Sequence, residues 1–76
     1  MKKETQNYAA MKKFGSNIKQ LREERGLSQE RLSQIAQTNR TYIGMIERAE
    51  RNITLCNIIK LAHALEVTPS ELLEGV

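Results

Sequence analysis

Seventy-six residues suffice for one domain around one modest core and exclude a sizeable buried active-site cleft. With one cysteine, one histidine, no aspartate and no glycine-rich phosphate loop, the chain has no internal disulfide and lacks the usual catalytic and metal-ligating constellations, so no enzyme, metal or cofactor is expected. No apolar run reaches the roughly eighteen residues of a membrane span and the start carries no signal-peptide stretch, so the expectation is a cytoplasmic protein with no membrane partner.

The net charge of +3 is unevenly spread. Residues 1–51 carry eleven Lys and Arg against six Glu, whereas residues 52–76 carry one Lys against three Glu. A basic front and a slightly acidic tail suit an anionic partner on one side only.

Residues 1–7 are polar and have no apolar period, so they read as a flexible N-terminal segment ahead of a single domain over residues 8–76. A first helix is expected to begin between Tyr8 and Met11 and to run to Arg25, with Met11, Phe14, Ile18 and Leu21 as its apolar stripe. Gly15 interrupts that stripe at a cost of about 1 kcal/mol against alanine. Gly26 ends the helix as a left-handed cap, and Leu27 turns inward.

Ser28 is a good N-cap for a second helix over Gln29–Ala36, with Glu30 placed to favour the positive end of the helix dipole. Gln37–Asn39 form a turn, and Thr38 or Asn39 caps a third helix running to about Arg48. The inward positions of this pair are Leu32, Ile35 and Ala36, then Ile43 and Ile46. Each piece is too short to be stable alone, so both must bury these sides. Asn39, Arg40, Thr41, Gly44 and Met45 are left on the outward front of the third helix.

Residues 49–53 form a loop. Thr54 caps a fourth helix, roughly Leu55–Leu65, whose wide stripe of Leu55, Ile58, Ile59, Ala62 and Leu65 suits a core element. Cys56 reads as a small buried thiol and His63 as a surface residue without ligand partners. Thr68 and Pro69 start a short last helix that ends near Leu73, because proline at the first helical position loses nothing by lacking its N–H. With no strand pattern and no repeat, the fold class is all-α with five helices.

The third helix carries base-pairing chemistry at its start. Arginine makes two hydrogen bonds to guanine, asparagine two to adenine, and threonine offers a hydroxyl or a methyl group. These are residues that a recognition helix presents at its N-terminal end to the major groove. Gly44, unfavourable inside a helix, suggests a backbone that something approaches closely.

The segments SQERL, RTYI and IERAERNIT, within a stretch from Phe14 to Leu73, resemble the Cro/CI-type (XRE) helix-turn-helix family, and most of all the controller proteins of restriction–modification systems. The resemblance implies a compact lambda-repressor-like domain and a transcription regulator that binds double-stranded DNA as a homodimer on a palindromic operator. It implies base contacts from Asn39, Arg40, Thr41, Gly44 and Met45. A phosphate contact would come from Gln29, and backbone, flanking or base contacts from Tyr42, Arg48, Arg51 and Asn52. It further implies an ion pair between Arg22 and Glu47. The last two helices would form the dimer interface, with Ile59, His63, Val67, Pro69, Leu72 and Leu73 as candidates. Gln37 replaces a glycine common in the turn, and Gly44-Met45 replaces a polar pair. An antitoxin or phage-type repressor would share this fold, and a protein-interaction module is the reading outside DNA binding. RNA polymerase is a further candidate partner through Glu30, whose other role is to face the helix dipole.

Overall fold

The computed structural model describes the backbone of residues 2–76 and the side chains from Asn7 onward. Five helices follow in order: α1 (Lys2–Glu24), α2 (Gln29–Ile35), α3 (Arg40–Glu47), α4 (Leu55–Leu65) and α5 (Pro69–Leu72). Helix α1 starts well before the expected Tyr8–Met11. The flexibility expected of residues 1–7 falls largely outside the residues whose side chains are described.

Short polar side chains set the starts of the other four helices. Ser28 accepts a hydrogen bond from the Arg31 amide at 2.9 Å, Asn39 from Tyr42 at 2.8 Å and Thr54 from Asn57 at 3.2 Å. Thr68 and Glu71 form a reciprocal capping box, with the Thr68 amide donating to Glu71 at 2.9 Å. Of the two residues considered for capping α3, Asn39 takes the role.

The helix ends share another device. After α1, α2, α3 and α4 the chain enters the left-handed region, at Gly26, Gln37, Ala49 and Glu66. In each case the next amide reaches back to the last turn, as Thr38 does to the Ser33 carbonyl and Glu50 to the Met45 carbonyl, both at 2.8 Å. Gln37 thus holds the same turn that glycine would, at φ 58°, where a side chain with a Cβ is strained.

Phe14 and Ile18 of α1, Leu32 and Ala36 of α2 and its cap, Ile43 and Ile46 of α3, Leu61, Ala62 and Leu65 of α4, and Leu72 of α5 form one core. Gly15 belongs to it as a spacer. A Cβ there would press on the Ile46 carbonyl oxygen and stand 2.9 Å from that of Glu47, so the missing side chain lets α1 cross the end of α3. Asn17 then donates to the Leu72 and Glu74 carbonyls, both at 2.9 Å, and pins the C-terminal turn to α1.

Burial corrects the sequence expectations at several residues. Cys56 is exposed, because it lies about 200° around α4 from Ile58 and so faces away from the core. Ile35 and Ile59 each retain 42% of their surface, and Leu55 retains 73%. The apolar stripe of α4 is wider than the core that covers it, and Leu61, absent from the expected stripe, is buried instead. Leu72 is fully buried in the monomer and so is unavailable to a second copy.

Candidate nucleic-acid interface

The elements that hold α3 also decide what it can present. Ile43 and Ile46 lock one side into the core, so Arg40 and Thr41 stand exposed on the other, with Met45 half-exposed beside them. Asn39 is exposed too, but its Oδ1 accepts the Tyr42 amide and fixes the start of the helix. Helix α2 packs across α3 through Leu32 and Ala36. This leaves the front of α3 as a projecting ridge.

Gly44 departs from the expected outward front: it is buried. A Cβ at this position would lie 3.0 Å from Arg48 Nη1 and 3.5 Å from Gln29 Oε1. The close approach that this glycine permits is thus made by the protein's own side chains. Arg48 folds back over it, and its Nε and Nη2 donate to the Glu50 carboxylate at 3.0 and 3.1 Å. Both partners remain half in solvent. The hydrogen bond and charge of Glu50 raise the Arg48 pKa, and Arg48 in turn holds the Glu50 carboxyl below the usual carboxylate range.

Beneath this surface runs a buried ion pair. Arg22 Nε and Nη2 donate to the two Glu47 oxygens at 2.6 and 3.0 Å, with the side chains only 10% and 4% exposed. Arg22 Nη1 also donates to the Leu27 carbonyl at 2.8 Å, and Gln29 Nε2 donates to Glu47 at 3.0 Å. One carboxylate therefore ties the end of α1, the start of α2 and the end of α3 together. Its hydrogen bonds outweigh desolvation and raise the Arg22 pKa. One proton of the Gln29 side-chain amide is committed here, which leaves its second proton and its backbone amide at the helix start for an outside acceptor.

Tyr42 is half-buried, and its hydroxyl accepts from Asn57 Nδ2 at 2.9 Å. The phenol proton stays available to donate. Arg51 lies with its guanidinium 5.7 Å from the Tyr42 ring centre, and both Arg51 and Asn52 are exposed in the loop after α3. Sequence reasoning missed Asn57, because nothing in the spacing announces a hydrogen bond between residues fifteen apart. Arg40 and Arg51 are thus exposed cations on and just after α3, with Arg48 paired to Glu50 between them.

Away from this face, Ile59 and Leu73 are each 42% exposed, and His63 and Pro69 are exposed beside a half-buried Val67. Leu55 and Val76 are exposed apolar residues that the candidate interface omitted. Leu55 was legible as the residue one turn before Ile59 on the over-wide stripe. No helix among the described residues is long and apolar enough to cross a membrane.

A helix-turn-helix family model matches residues 18–72. Control protein C.SmaI of Serratia marcescens is 47% identical over 60 residues, which cover 79% of this chain and 71% of that protein. Control protein C.BamHI of Bacillus amyloliquefaciens is 44% identical over 62 residues, covering 80% and 76%. Among solved structures, the restriction-modification controller protein C.AhdI from Aeromonas hydrophila superposes with a TM-score of 0.83 at 48% identity, over 86% of this chain and 94% of that one. By this match of sequence and fold, the chain belongs to the helix-turn-helix family, with the restriction–modification controller proteins.

Proposed function

We propose that this protein regulates transcription in a restriction–modification system by binding double-stranded DNA in the cytoplasm as a two-fold dimer on a palindromic operator. The observation that carries this reading is the state of α3. Its apolar side is sealed into the core, while Arg40 and Thr41 stand in solvent, Met45 is half-exposed beside them, and Arg48 and Arg51 follow exposed. A helix held this way inserts into the major groove with its N-terminal residues against base edges.

Binding starts electrostatically. Arginine side chains displace cations from the phosphates, and affinity falls with salt at a log–log slope of about −0.9 per phosphate neutralised. Gln29, the Tyr42 hydroxyl, Arg51 and Asn52 set the register on the backbone and its flanks. Arg40 supplies the main base discrimination, about 1–3 kcal/mol for a good bidentate pair, with Asn39 and Thr41 beside it. Gly44 contributes by its lack of a side chain rather than by a contact. The second copy docks through Ile59, Leu73 and their exposed neighbours, and presents its own α3 about one helical turn, roughly 34–36 Å, along the duplex. The activity is recognition rather than catalysis, and Glu30 on α2 is an exposed contact point for polymerase.

Selection of bound duplexes from a random pool tests the reading. Two inverted half-sites about one turn apart are expected, and loss of preference at one position per half-site on Arg40→Ala. Absence of salt-sensitive binding to any duplex would overturn it in favour of a protein-interaction module.

A further inference from the structure

The stripe Arg40, Gly44, Arg48 runs along one side of α3 at four-residue spacing. Its middle position has no side chain, and the space is taken by the guanidinium of the last. Arg48 Nη1 stands 3.0 Å from where a Cβ on Gly44 would be, while Glu50 holds the opposite edge of the same guanidinium through two hydrogen bonds. Among the described residues Nη1 has no hydrogen-bond partner. Glu50 thus leaves three of the five N–H groups free, two on Nη1 beside Gly44 and one on Nη2.

We infer that Gly44, Arg48 and Glu50 act as one base-reading unit, in which the Arg48 guanidinium takes the place of a side chain at position 44 and Glu50 sets its direction. Arg48 is the contacting residue. Glu50 is a positioning residue, and Gly44 is the niche that admits the guanidinium.

The physical reason lies in rotamer freedom. An unrestrained arginine near a duplex divides itself between base edges and the phosphates, which flank every sequence equally, and that dilutes its discrimination. A guanidinium whose fork is already directed presents its remaining N–H groups as a fixed pair, the geometry that guanine O6 and N7 accept. The Glu50 carboxylate also repels nearby phosphates, so it disfavours the backbone-bound alternative. Glu50 therefore trades some affinity for discrimination.

The inference rests on the DNA-binding reading, and the experiment separates the two. Duplexes are selected from a random pool with the full chain and with Arg48→Ala, Glu50→Gln and Gly44→Ala, with circular dichroism to verify folding. Arg48 and Glu50 are exposed, so the first two variants keep the fold. Arg48→Ala is expected to flatten preference at one base pair of each half-site by roughly tenfold. Glu50→Gln is expected to weaken preference at that same pair while overall affinity for mixed-sequence duplex stays equal or rises. The Cβ of Gly44→Ala meets the far ends of the Arg48 and Gln29 side chains, the nearer being Arg48 Nη1 at 3.0 Å, so the guanidinium must shift and preference at that pair is expected to change. If the wild-type chain selects motifs but Arg48→Ala lowers affinity for all sequences alike, Arg48 is a phosphate contact and the inference fails alone. An unchanged motif for Glu50→Gln overturns the positioning role. If the wild-type chain selects nothing, the DNA-binding reading fails and takes the inference with it.

Discussion

Removal of the Glu47 carboxylate tests the structural account most severely. Glu47 accepts three hydrogen bonds, two from Arg22 and one from Gln29, and is 4% exposed. In Glu47→Ala the Arg22 guanidinium, itself largely out of water, keeps only the Leu27 carbonyl. Stranding a buried charge costs about 3–5 kcal/mol, and the residual carbonyl contact and slight exposure of Arg22 favour the lower end, about 3 kcal/mol. A 76-residue domain has a total stability of about 4–11 kcal/mol at the usual value per residue, so this loss is a large share. The melting temperature should fall by roughly 12–24 °C. In urea the midpoint should drop while the slope is unchanged, since the same surface is exposed on unfolding. A second arm isolates the cause: Arg22→Met with Glu47→Leu removes both charges and should recover most of the loss. An unchanged midpoint for Glu47→Ala would refute the claim that this pair binds α1, α2 and α3 together. Failure of the apolar pair to recover stability would show that the lost hydrogen bonds, rather than the stranded charge, carry the cost.

Other expectations follow from the turns, the caps and the exposed apolar face. Gln37→Gly removes the strain of a left-handed residue in the helix-turn-helix turn and should stabilise by about 1 kcal/mol, read as a higher urea midpoint; a destabilised variant would mean that the Gln37 side chain contributes more than its backbone costs. The Glu71 carboxyl is held below the usual carboxylate range by the Thr68 amide and then the Thr68 hydroxyl. Its stabilising contribution is full above the unfolded-state value and fades as pH falls through the lower folded-state value, so NMR titration should show a depressed Glu71 that Thr68→Ala returns only part of the way, since the amide remains. The proposed dimer should appear in micromolar sedimentation of the wild-type chain and be lost in Ile59→Lys without loss of helix content; a monomeric wild type would overturn the dimer, and a dimer that persists in the variant would move the interface elsewhere.

Much of this architecture is written in local chemistry. Ser28, Asn39, Thr54 and Thr68 announce four helix starts because an N-cap acts within three residues of itself. The spacing of Phe14 with Ile18, Leu32 with Ala36 and Ile43 with Ile46 likewise marks faces that bury, since helical period is a property of a few turns. The same locality makes the exposed position of Arg40 and Thr41 at the start of α3 legible, where the proposed base contacts lie.

Tertiary packing decided the rest, for a common reason: it depends on which partner arrives at a given face. Gly15 and Gly44 look alike in the sequence, as helix-weakening residues, yet one admits the backbone of α3 and the other the guanidinium of Arg48. The α4 stripe has one apolar period, but the core covers Leu61, Ala62 and Leu65 and leaves Leu55 and Ile59 bare. Cys56 and Leu72 exchange their expected places because burial is set by neighbours distant in the chain. Periodicity along a helix determines which residues share a side; only the assembled helices determine which side is covered.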